Sequence, residues 1–74
     1  DLRGEIERHR DWEVVAHFKR LAQIDVVAEL AIQNDDSALV DRAEAVRRYE
    51  TERFRLAMRR LRTVIQARAL TGTP

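Results

Sequence analysis

Glu5, His9, Glu13 and His17 recur at four-residue steps near the start of the chain. Side chains four apart on a helix point the same way. Two imidazoles and two carboxylates along one edge are donor types that zinc or iron accepts. The spacing differs from the Glu-x-x-His step by which helical bundles hold carboxylate-bridged metals. Carboxylate–imidazole hydrogen bonds on a solvated edge account for the same ladder, and no cofactor is expected.

Arg48, Arg55, Arg59 and Arg62 form a second pattern, flanked by Arg47, Arg53 and Arg60. At helical spacing the four fall within about 60° of arc. A row of guanidinium groups can track phosphates and release counterions, so nucleic-acid binding through this stripe is the alternative function. Several features weigh against it. No short recognition helix follows a tight turn. No aromatic residue interleaves with the basic ones after Phe54, and Glu52 beside Arg48 and Arg55 partly neutralises the row. A solvated basic face, or one that meets an acidic protein, explains the stripe equally well.

Covalent catalysis finds no support. The chain has no Cys, a single Ser (Ser37), no Gly-rich phosphate loop and no His-Glu-x-x-His. Glu50 and Arg68 fall on the apolar seam of the second helix, and Asp25 sits between apolar groups of the first. Such residues more often set register or oligomer state than serve a reaction. The expectation is a protein that is not an enzyme.

The elements that carry these residues follow from composition and punctuation. The chain has 74 residues, 45% hydrophobic and 36% charged, with a net charge of +1. That excludes a multidomain enzyme, a disulfide scaffold and a strongly charged disordered tail. Only Gln33-Asn34-Asp35-Asp36-Ser37 clusters turn formers, with no Pro in the roughly thirty residues on either side. The expected class is all-α: one domain over 1–74, with a helix over about 2–33, a turn at 34–36, a helix over about 37–70 and a tail at 71–74. Asn34 suits the left-handed position after a helix, and Asp35, Asp36 or Ser37 can cap the next one. Gly72 marks the far stop, and Gly4 weakens the first turn. A short connection makes the two helices antiparallel neighbours.

Periodicity then predicts the packing. In the second helix Leu39, Ala43, Val46, Phe54, Ala57, Leu61 and Val64 form one stripe, broken at Glu50. The first helix has two. Val14, Phe18, Leu21, Ala28 and Ile32 form one, which Ile24, Val27 and Ala31 extend. Trp12, Val15, Ala22, Val26 and Leu30 lie on another side. One return helix covers about one stripe, and monomers rarely leave a large apolar patch in water. The reading is therefore a non-catalytic protein–protein interaction or oligomerisation module. Phe18, Leu21, Phe54 and Leu61 hold the hairpin, while Trp12, Val15, Ala22, Val26 and Leu30 meet the partner. The favoured partner is a second copy, giving a homodimeric four-helix bundle. A different protein or a neighbouring domain is the other candidate, since the chain lacks an initiator Met and reads as a piece of something longer.

Charge is segregated. Residues 1–46 carry six basic and eleven acidic groups, and residues 47–74 carry eight and two. In a hairpin, Glu7 and Asp11 would then approach Arg53 and Arg60. The most apolar stretch, 14–32, holds five ionisable residues, His17, Lys19, Arg20, Asp25 and Glu29, so no membrane span is expected. A cytoplasmic location is the default.

Overall fold

The structure, a computed structural model, describes residues 1–71 as two helices, α1 (Leu2–Gln33) and α2 (Ser37–Thr71). They form an antiparallel hairpin with extents of 59 × 16 × 7 Å. The expected bounds of both helices are met to within a residue. The expected stop at Gly72 lies outside the described residues.

Local chemistry explains each end. The Asp1 carboxylate accepts from the Arg3 N–H at 3.1 Å, which satisfies one of the orphan donors of the first turn. Glu5 adds a favourable charge there. The helix runs through Gly4 unbroken. At the other end Asp35 N donates to Ile32 O at 3.1 Å and Asp36 N to Ala31 O at 2.9 Å. These are the paired closing bonds of a Schellman turn. Asp36 then caps α2, its Oδ1 accepting from Leu39 N at 3.0 Å.

The left-handed residue is Asp35, at φ 53°, not Asn34. Asn34 keeps φ −99° because its own N–H and its side-chain Nδ2 both bond Leu30 O, at 3.1 and 2.9 Å. α1 is thereby held one residue further before the chain reverses. A Cβ is disfavoured at positive φ and glycine carries none. Asp35→Gly is expected to stabilise the hairpin by about 0.5–1 kcal/mol, read as a higher urea midpoint by circular dichroism. An unchanged or lower midpoint would contradict this account of the turn.

Toward the turn, Ala31 and Ala43 are the buried apolar residues among those described. Further along, Leu21, Ile24, Ala28, Leu39, Phe54, Ala57 and Leu61 are half-buried. Phe18 does not hold the hairpin as the apolar pattern suggested. It is 63% exposed, because the seam of α1 follows Glu13, His17, Ile24, Ala28 and Ala31, and Phe18 stands about 100° from His17. Val27, Ile32, Val46 and Val64, also expected in the seam, are exposed.

The cross-helix charges differ from expectation too. Glu7 pairs with Arg3 at 3.4 Å and Asp11 with Arg10 at 3.5 Å, both within α1. Arg53 reaches Glu13 and Glu50 instead, and Asp25 pairs with Arg47 across the seam.

Candidate functional site

The centre of the hairpin is polar. Glu13 and His17 of α1 and Glu50 of α2 are buried, and Arg20 and Arg53 are half-buried beside them. His17 Nδ1 lies 2.8 Å from Glu50 Oε2. Arg53 grips the same carboxylate through Nε at 3.0 Å and Nη2 at 3.1 Å. It also reaches Glu13 Oε2 at 3.4 Å, so one guanidinium ties residues 40 apart in the chain. The Phe54 ring stacks on the His17 imidazole, with centroids 4.0 Å apart and planes at 10°. Phe18 meets the same imidazole at a tilt, 5.5 Å away.

Charge is nearly balanced within this layer. The hydrogen bonds from Arg53 hold the Glu50 carboxyl at about 2, below its ordinary 4.5, against the opposing cost of burial; the His17 bond and the Arg20 charge act with Arg53. With Glu50 ionised, the His17 nitrogen facing it carries the proton and donates. Glu50 in turn raises the pKa of Arg53, with Glu13 adding to the effect. Arg20 Nη1 is buried without a hydrogen-bond acceptor. Its nearest carboxylate oxygen, Glu50 Oε2 at 3.7 Å, is already engaged by His17 and Arg53. Apart from that Arg20 nitrogen, the side chains of the layer bond one another across the hairpin, an arrangement that can fix register.

The Glu5, His9, Glu13, His17 ladder is split by the fold. Each four-residue step turns about 40°, so the ladder rotates about 120° from end to end. Glu5 and His9 are exposed, while Glu13 and His17 turn into the seam. His9 lies 4.0 Å from Glu13 and stacks on Trp12. Among the described residues no group of three or more His, Asp or Glu side chains is placed to hold a metal ion.

The second apolar face of α1 is open. Trp12 is 57% exposed, Val15 53%, Val26 59% and Leu30 50%, and Ala22 is exposed with them. Beside it runs a groove of about 510 Å³ between the helices, walled by Ile24, Val27, Leu39, Val46 and Tyr49, with Arg20 at its edge. The arginine stripe is also exposed: Arg48, Arg55, Arg59 and Arg62 all face solvent. Arg55 is clamped by Glu52 at 2.6 and 3.0 Å, which holds the Glu52 carboxyl below its ordinary range. Arg68, expected on the seam, is exposed.

Sequence reading placed Glu50 in the seam of α2 but missed its partners. A signal was present: the apolar stripe of α2 breaks at Glu50, and Glu13, His17 and Arg20, at steps of four and three, form a polar line on α1. Two polar gaps at the same height of a hairpin are best read as facing one another. No helix among the described residues is long and apolar enough to cross a membrane. No protein-family model matches the chain, and no curated protein or solved structure is found similar to it.

Proposed function

We propose that this hairpin is a non-catalytic assembly module that associates with a second copy through the open apolar face of α1, giving a four-helix bundle. The observation that carries the reading is the exposure of Val26 and Leu30, at 59% and 50%, on a helix whose other side already faces α2. Shape supports it. The radius of gyration is 17.2 Å, against about 11 Å for a compact domain of this length. The chain exposes 5962 Å², about 1,200 Å² more than surface scaling assigns to a compact monomer. A standard interface removes about 800 Å² from each partner, so one mate is of the right size to cover the excess.

Sedimentation equilibrium tests this directly. The expected mass is twice the 8.7 kDa of one chain; a single-chain mass at high micromolar concentration overturns the reading. The arginine row is separated in the same experiment. Arg55→Glu with Arg59→Glu should leave the mass unchanged. Salt-sensitive retention of DNA or RNA, lost in that variant, would instead assign the function to the stripe.

A further inference from the structure

We propose that the mate lies antiparallel over the groove between α1 and α2, with the two turns at opposite ends of the bundle. This rests on the self-association argued above and adds its face and its direction.

The face follows from continuity. Val27 lines the groove. Leu30, three positions from Val27, carries the apolar surface on around α1, and Val26, four positions before Leu30, continues it. Val46 and Tyr49, 51% and 71% exposed, continue it across the far wall onto α2. A hairpin laid over the groove covers all of these at once. A mate on the outer back of α1 alone would leave Val46 and Tyr49 wet.

The direction follows from charge. Helix macrodipoles largely cancel within an antiparallel pair, so side chains decide. Because His17 meets Glu50 and Phe54, residues 1–17 lie beside roughly 52–71, and residues 18–51 make the turn half. The terminal half carries nine basic and six acidic groups, a net of +3; the turn half carries five and seven, a net of −2. The hairpin is thus a charge dipole along its 59 Å axis. Turns together would set +3 against +3 across helices about 8–10 Å apart, within a Debye length of about 8 Å or little more at physiological salt. Turns apart set +3 against −2 at both ends. A two-fold axis across the bundle then makes the contact self-complementary.

The chain has no cysteine, so introduced thiols can be spin-labelled without background. Ser37→Cys labels the turn and Arg3→Cys the opposite end, both exposed positions. Double electron–electron resonance on the Ser37→Cys protein should give a separation of about 45 Å, one helix length. An equal mixture of the two variants should give unlike-label distances under about 20 Å, one or two helix diameters. A Ser37 pair closer than that overturns the direction while leaving the association standing. A single-chain mass in the same samples removes both. Val46→Asp probes the face and is expected to raise the dissociation constant at least about tenfold; a variant that dimerises like the parent overturns the groove as the seat.

Discussion

Glu50→Ala is expected to destabilise the protein by about 3–5 kcal/mol, the cost of removing one partner from a buried ion pair. A chain of this length has only about 4–11 kcal/mol to lose, so much of the helical signal should vanish at modest urea. The reason lies in what is left behind. Without the carboxylate, Arg53 keeps only its 3.4 Å contacts to Glu13, and His17 loses its 2.8 Å acceptor. Arg20 loses the carboxylate 3.7 Å from its buried nitrogen. Glu13→Ala should cost less, because its bonds to Arg53 are longer, at 3.4 Å. Urea titration followed at 222 nm measures both. A Glu50→Ala midpoint matching the parent would remove the polar layer as a source of stability.

The same carboxyl sets a pH window. Its folded value of about 2 lies below the ordinary 4.5, so the ionised form is favoured by folding. The stabilisation is fully present above about pH 4.5 and is lost as pH falls through 2. Its size is at most of the order of 3 kcal/mol, at about 1.4 kcal/mol per pH unit. Glu50→Gln should be less stable at neutral pH and should show a flatter decline between pH 4.5 and 2. Two parallel curves would contradict the assignment.

Val26→Asp should act on association and leave the hairpin seam intact. Val26 is 59% exposed in the single hairpin, so the substitution disturbs nothing between α1 and α2. In a two-fold interface the change occurs twice. Each copy forfeits about 1.5 kcal/mol or more of apolar burial and gains a desolvated carboxylate. The dissociation constant is expected to rise about 100-fold or more. Sedimentation at micromolar concentration should then report one chain of 8.7 kDa. A variant that sediments like the parent would show that the partner lies against another face.

What the amino-acid sequence determined by itself is local. The bounds of α1 and α2, the turn at 34–36 and a cap among Asp35, Asp36 and Ser37 were legible because capping and turn formation act over a few residues. Even there, competition within the turn was not: Asn34 and Asp35 both tolerate a left-handed backbone, and the Asn34 side chain's bond to Leu30 O settled which one takes it. The presence of more apolar surface on α1 than α2 can cover was also legible, from periodicity alone. Which residues of the inward stripe form the seam was not. Leu21, Ile24, Ala28 and Ala31 pack inward as the stripe suggested, but Phe18 stays exposed and Glu13 and His17 take the seam beside them. Burying ionisable side chains is favourable only when charged partners arrive at hydrogen-bond distance. Glu50, 33 residues from His17, and Arg53, 40 from Glu13, come within reach only once the hairpin has closed, so that choice belongs to the tertiary structure.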